Sequence, residues 1–208
     1  MSRNVLLQLA LPLVETHGFT RQVLARSVLS LPTHEEPLSE TAVSALFGNG
    51  SDARRTLINA WLDDARRQMK SAPSPALKDV LAFRLRFNEP VLSHLPEAFA
   101  LLASPSTAFP PLDPMPALKH AAKVADEACY ISGDTTVGNA WYARRASLAA
   151  IYAAAELHQL TSPHTAYTFL DGLLDTSSKV ESSLGEADLF ASYIGRSWAG
   201  IIKSRGIF

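Results

Sequence analysis

Trp141 and Tyr142 are adjacent, and Arg144 and Arg145 follow two residues later. Gly133-Asp134 precedes them, and an apolar helical pattern runs on through Ala149-Ala150-Ile151-Tyr152 to Glu156-Leu157. Neighbouring side chains on a helix diverge by about 100°, so the two rings cannot share one core. One of them faces a surface, a pocket or a partner. Aromatic rings beside guanidinium groups are what protein interfaces concentrate. The chemistry that suits this grouping is recognition, with Asp134, Trp141, Tyr142, Arg144 and Arg145 as a docking patch. The alternative is that Trp141 packs inward and the arginines cap acidic neighbours.

Bond-making chemistry needs other groupings. A carboxylate-bridged di-iron bundle uses Glu-x-x-His on two helices, whereas Glu156 is followed by His158 and Glu15 by His17. His-Glu-x-x-His, Cys-x-x-Cys and Gly-x-Ser-x-Gly do not occur. Gly48-Asn49-Gly50-Ser51 lacks the lysine and the strand context of a phosphate loop, and Gly133 to Gly138 carries no nucleotide fingerprint. Cys129, beside Tyr130 in an apolar helical pattern, reads as a buried, inert thiol. His94 stands before Leu-Pro at a helix break and reads as structural. The sequence thus assigns no catalytic residue, no metal ligand and no cofactor. The chain is expected not to be an enzyme.

A chain of 208 residues suits one compact domain with a tail. Hydrophobic content of 47% against 19% charged residues supports a sizeable core and argues against disorder. Nineteen basic and twenty acidic side chains nearly cancel, so nucleic-acid binding would need a concentrated patch. A single cysteine excludes an internal disulfide and fits a reducing or mitochondrial-matrix setting. No apolar run reaches the roughly 18 residues of a spanning helix. Val5 to Val14 is apolar, but Pro12 and Glu15 interrupt it and no small-x-small cleavage site follows, which favours a structural helix over a signal peptide. Arg3, Arg21 and Glu15 do not make an Arg-rich, acid-poor transit peptide. A mitochondrial protein with this sequence is expected to lack its leader.

The elements that must position these residues are helices. Glycine is scarce, strand-like alternation is almost absent, and Ala and Leu recur at helical spacing, so the predicted fold class is all-α. A first helix is expected from Val5 to Thr16, with Leu6, Leu9 and Leu13 on one stripe, ending at Gly18. Thr20 caps a second, Arg21 to Ser30, and Ser39-Glu40 opens a third through Leu46-Phe47. Ser51 or Asp52 caps a long fourth to Met69, with Leu57, Trp61, Leu62 and Ala65 inward. Helices bent at Pro90 and Pro96 follow from Ala76. Ser104 to Pro116 holds five of the thirteen prolines and is expected to be a non-helical crossing. Ala117 to Ile131, Ala140 to Leu160 and His164 to Lys179 complete the body. The expected organisation is residues 1–70, 71–182 and a separate amphipathic tail, 183–208.

The stretch Gly133-Asp134, then Trp141-Tyr142-Ala143-Arg144-Arg145 and its small-residue helix, resembles the accessory lipid-binding family of ubiquinone (coenzyme Q) biosynthesis. Ser93-His94-Leu95-Pro96-Glu97-Ala98, Leu101-Leu102-Ala103 and Pro110-Pro111-Leu112 support the match, which spans most of residues 76 to 172. The spacer Val137-Gly138-Asn139-Ala140 departs from it, since the family commonly holds an acidic residue there. Residues 3 to 70 resemble the start of TetR-type regulators, a fold that the ubiquinone family shares: a helical bundle with an N-terminal helix-turn-helix-like unit. The alternative function is therefore a ligand-responsive TetR-type regulator. Its recognition helix would be Ser39 to Phe47, which offers no Arg, Lys, Asn or Gln to read a base edge. Glu35, Glu36 and Glu40 would face phosphate, and only Arg54 and Arg55 could touch a backbone. No nucleic-acid partner is expected.

A helical body rich in Leu, Phe and Ala can hold a long apolar ligand. Candidate lining residues are Phe83, Leu85, Phe87, Phe99 and Leu102 from the first half, and Val124, Ile131, Leu148, Ile151 and Tyr152 from the second. The small residues Ala146, Ala149, Ala150 and Ala153 to Ala155 either leave room between helices or allow close contact. In the tail, Phe190, Tyr193, Ile194, Trp198, Ile201 and Ile202 fall on one helical face. Asp188, Ser192, Arg196 and Lys203 fall opposite, which matches an interfacial membrane helix. Docking of that tail on its own domain, or on a second subunit in a homodimer, is the alternative. The resemblance implies a non-catalytic protein on the matrix side of the mitochondrial inner membrane. It would bind isoprenoid quinone intermediates and present them to the di-iron demethoxy-quinone hydroxylase, alongside other members of the biosynthetic complex.

Overall fold

A computed structural model of the chain describes residues 2–32, 34–104 and 112–182. Every regular element among the described residues is helical, so the protein is all-α. The helices group into two compact units, Met1–Arg67 with Phe87–Pro114 and Gln68–Arg86 with Met115–Phe208. The chain thus leaves the first unit near residue 67, returns to it at Phe87, and leaves again at Pro114.

In the first unit, α1 (Arg3–Ala10) and α2 (Val14–His17) flank a 3-10 turn, Leu11–Leu13. The single helix expected there is interrupted because Pro12 has no N–H to return to the preceding turn. Its buried face is Leu6, Leu7, Ala10 and Val14, while Leu9 and Leu13 are only half-buried. Thr20 caps α3 (Arg21–Arg26) by accepting from the Val23 N–H, and a 3-10 turn, Ser27–Ser30, continues it. Ser39 caps α4 (Glu40–Phe47) through the Ala42 N–H. α5 (Ser51–Gln68) buries Leu57, Trp61, Leu62 and Ala65, as its amphipathic pattern requires. Phe19 meets Trp61 edge-on, 5.7 Å between ring centres. After α6 (Leu77–Arg86), which belongs to the second unit, the chain returns through a 3-10 turn at Glu89–Val91 to α7 (Leu95–Ala103). His94, just before α7, lies against Gly18, where an added Cβ would come 3.0 Å from His94 Nδ1.

The second unit is built from α6, α8 (Met115–Ile131), α9 (Asn139–Thr161) and α10 (Ala166–Ser182). α9 packs against both α8 and α10, and α6 also reaches both. Their common core holds Val80, Leu81 and Leu85 of α6, Val124 and Ala128 of α8, Leu148, Ile151 and Tyr152 of α9, and Leu170 of α10. Ala153, Ala154 and Ala155 are buried in it as well. The small-residue run is therefore used where α9 meets its neighbours. Most of the proline-rich crossing and all of the tail, Phe190 to Lys203 included, lie outside the described residues.

Candidate functional site

The residues expected to form a docking patch are brought together by the turn between α8 and α9. Gly133, at φ 69, lets the chain reverse: its N–H donates to the Tyr130 carbonyl, and the Asp134 N–H donates to the Cys129 carbonyl at 3.0 Å. This pair of bonds is a Schellman closure of α8, and it folds the Asp134 carboxylate back toward the helix end. Asp134 then accepts from the Thr136 N–H (3.1 Å) and hydroxyl (2.9 Å), and from the Cys129 thiol. From α9, Arg145 Nη1 donates to Asp134 at 3.3 Å and Arg145 Nε to Asp126 at 2.8 Å. Arg144 Nε stands 3.7 Å from the same Asp134 oxygen. Burial opposes the charge on Asp134, but its hydrogen bonds from Thr136 and Cys129, with Arg144 nearby, hold the carboxyl below its ordinary range.

Both rings of the patch face outward. The Arg145 guanidinium covers one face of Trp141, 4.0 Å from the ring centre, and Tyr142 meets Trp141 edge-on at 4.8 Å. Trp141 is 36% exposed and Tyr142 70%. Tyr130 and Val137, which the sequence reading did not single out, are more exposed still. The structure therefore combines both sequence readings: the aromatics are at the surface, and the arginines are tied to acidic neighbours. Cys129 is buried. Burial pushes its thiol up to about 11, with Arg145 opposing and the Asp134 hydrogen bond adding.

Of the candidate lining residues, Leu85, Val124, Leu148, Ile151 and Tyr152 meet in the core of the second unit, with Ile131 packed at its edge. Phe83 is half-buried in the same unit. Phe87, Phe99 and Leu102 belong to the first unit, where Leu102 is buried and the two phenylalanines half-buried.

A polar cluster that the sequence reading missed lies within the second unit's core. The Tyr152 hydroxyl donates to Glu156 Oε1 at 2.6 Å, and His120 Nε2 lies 3.2 Å from Oε2. Arg84 Nη2 stands 3.9 Å from Oε1, and Gln159 donates to the Leu85 carbonyl at 3.0 Å. Every buried Arg, Lys, His, Asp or Glu among the described residues belongs to this cluster. Burial works against ionisation of Glu156, yet His120, Arg84 and the Tyr152 hydroxyl outweigh it and bring the carboxyl down to about 2. The signal in the sequence was a charge on an apolar stripe: Arg84 shares a helix face with Val80 and Leu81. Glu156 follows Tyr152 by one turn.

In the first unit Arg21, Arg54 and Arg55 are engaged with local acceptors. Arg21 Nε and Nη2 donate to Glu40 at 2.9 and 2.6 Å, and Nη2 also to the Ser44 hydroxyl at 2.9 Å. Arg54 pairs with Glu97 and donates to the Phe19 carbonyl. Arg55 pairs with Asp52 and donates to the Ser104 carbonyl. Among the described residues no group of three or more His, Cys, Asp or Glu could hold a metal ion, and no helix is long and apolar enough to cross a membrane.

The COQ9 family model matches residues 115–181, the stretch that carries Trp141, Tyr142, Arg144 and Arg145 and, from α8 and α9, four members of the buried cluster, His120, Tyr152, Glu156 and Gln159. "Ubiquinone biosynthesis protein COQ9, mitochondrial" of Drosophila melanogaster is 30% identical over 221 residues, covering 99% of this chain and 64% of the relative. The Bos taurus protein of the same name is 30% identical over 73% of this chain and 48% of its own length. The Saccharomyces cerevisiae protein is 27% identical over 92% of this chain and 78% of its own length. The chain thus spans about half to under two thirds of the fly and bovine relatives.

Proposed function

This chain belongs to the COQ9 family of ubiquinone biosynthesis proteins, and from that premise we propose that it is a non-catalytic lipid-binding accessory protein. It binds an isoprenoid quinone intermediate in its helical body and presents it to the di-iron demethoxy-quinone hydroxylase. The relatives are named mitochondrial, and the proposed location is the matrix side of the inner membrane, reached through the amphipathic tail.

One observation carries the docking half of this reading. Trp141 and Tyr142 sit exposed in the first turn of α9, and Tyr130 at the end of α8 and Val137 just before α9 are exposed as well, with Asp134 tying the intervening turn to Arg145. Large exposed rings on a rigid support are what an interface needs, because little conformational freedom is lost on binding. Internal neutralisation of Arg144 and Arg145 by Asp126 and Asp134 leaves those rings as the main source of contact energy. The regulator alternative is weakened by the engagement of Arg21, Arg54 and Arg55 with acceptors of their own unit.

The test replaces both rings, Trp141→Lys with Tyr142→Lys, and follows co-purification with the hydroxylase beside a thermal melt. A docking role predicts a near-normal melt and a loss of binding of about 2 kcal/mol or more. Retained binding with a normal melt removes the patch from the proposal. Mass spectrometry of lipids that co-purify with the wild-type chain tests the ligand half.

A further inference from the structure

We propose that, away from a membrane, the chain's own tail, residues 183–208, lies over the first turn of α9 and covers Trp141 and Tyr142. A membrane that takes up the tail then opens the patch. This rests on the docking and membrane-tail readings above and adds to them a regulation that couples the two.

The course of α10 supplies the occupant. α9 and α10 run antiparallel in one register: His158 stacks on Phe169, with ring centres 4.3 Å apart, and toward the other end the Ser147 and Ser177 hydroxyls share a hydrogen bond of 3.1 Å. Ser182, where α10 ends, is five residues past Ser177, and Tyr142 is five residues before Ser147. Each step amounts to about 7.5 Å along a helix axis, so the tail leaves α10 level with Tyr142. Packed helices stand about 8–10 Å apart. The connector from Ser183 to Leu189 can span about 23 Å when extended, and Gly185 lets it reverse.

The surface at that level is bare. Asn139, Ala140, Trp141, Tyr142 and Ala143 are all exposed, and five consecutive residues go right round a helix. An apolar surface of this kind calls for a cover, and the apolar stripe from Phe190 to Ile202 matches it in kind. Arg144 and Arg145 are already paired with Asp126 and Asp134, so the patch sets no net charge against the tail. Tethering favours the tail over any free partner. A short flexible linker gives an effective concentration of about a millimolar, so a contact with an untethered Kd of about 0.1 mM closes in about nine chains of ten. One stripe cannot lie on the patch and in a bilayer at once, and the two covers therefore compete.

A thiol on the covered turn tests this. Ala143→Cys in the full chain keeps both rings, and its labelling by a maleimide is followed with wild type correcting for the buried Cys129. Labelling should be about tenfold slower than in the same chain carrying Phe190→Ser and Ile194→Ser, as nine closed chains in ten require. Diluting the protein about a hundredfold should leave the slow rate unchanged, because a cover within one chain does not depend on concentration whereas a second copy does. Vesicles of phosphatidylcholine and phosphatidylglycerol should bring the intact chain to the fast rate, and flotation of the same samples reports attachment. Equal rates for the intact and stripe-broken chains, or protection that dilution removes, would overturn the tail as occupant. Protection that persists on chains that float would overturn the coupling. An intact chain that does not float overturns the membrane reading and the coupling with it, while the intact and stripe-broken rates still decide whether the tail covers the patch.

Discussion

Replacing Glu156 with glutamine should cost the protein about 3 kcal/mol at neutral pH, with a pH dependence that identifies the cause. The Glu156 side chain is 6% exposed and its pKa falls from an ordinary 4.5 to about 2. That drop corresponds to about 3 kcal/mol of preferential interaction with the charged form, at about 1.4 kcal/mol per pH unit. Because the folded value is depressed, the contribution is fully present above the unfolded value of 4.5 and is lost as pH falls toward 2. Glutamine keeps the shape and one acceptor but leaves Arg84 and His120 without a neighbouring negative charge. Losses of about 3–5 kcal/mol are usual when one member of a buried pair is removed. For a chain of this size the melting temperature should fall by about 6–12 °C. Urea unfolding followed by far-ultraviolet circular dichroism, at several pH values between about 7 and 3, reads the difference between wild type and variant. That difference should be largest at neutral pH and shrink in acid. Equal stabilities at neutral pH, or a gap that acid leaves untouched, would refute the claim that ionised Glu156 holds the core.

Asp134→Ala should loosen the α8–α9 turn by about 1–2 kcal/mol, and should speed modification of Cys129 by a thiol reagent at mildly alkaline pH. The Asp134 hydrogen bond and charge both help keep that thiol protonated, so unchanged labelling would count against the hub. Gly18→Ala should destabilise more than Gly133→Ala: both carry positive φ, costing about 1–2 kcal/mol, but only at Gly18 does the new methyl meet a side chain, His94. Chemical denaturation of the two variants ranks them directly. Deleting residues 184–208 should leave the helical body folded and abolish flotation with liposomes, as the apolar stripe from Phe190 to Ile202 implies; a truncated chain that still floats, or that loses its cooperative melt, would reassign the tail to the core. No sequence-specific DNA complex should form at physiological salt, and a nanomolar shift would reopen the regulator reading.

The helices themselves were legible in the sequence because helix formation is largely local. Thr20 and Ser39 announce their caps, the Leu57–Trp61–Leu62–Ala65 face follows from a 3.6-residue period, and the scarcity of glycine and of alternation leaves little room for strands. The patch was legible for the same reason: adjacent positions on a helix diverge, so Trp141 and Tyr142 had to present at least one ring outward. Family membership was legible in that stretch too. Tertiary structure decided what depends on residues far apart in the chain. Arg84, His120 and Glu156 are separated by 36 residues at each step, and no periodicity shows that they share one buried site. The sequence offered only a charge on an apolar stripe, which a solvated face would also display. The return of Phe87–Pro114 to the first unit, which places Phe87, Phe99 and Leu102 in a different unit from Phe83, Leu85, Val124, Ile131, Leu148, Ile151 and Tyr152, was likewise hidden. Burial and pairing are set by which helix faces meet. A one-dimensional pattern fixes each face but not its partner.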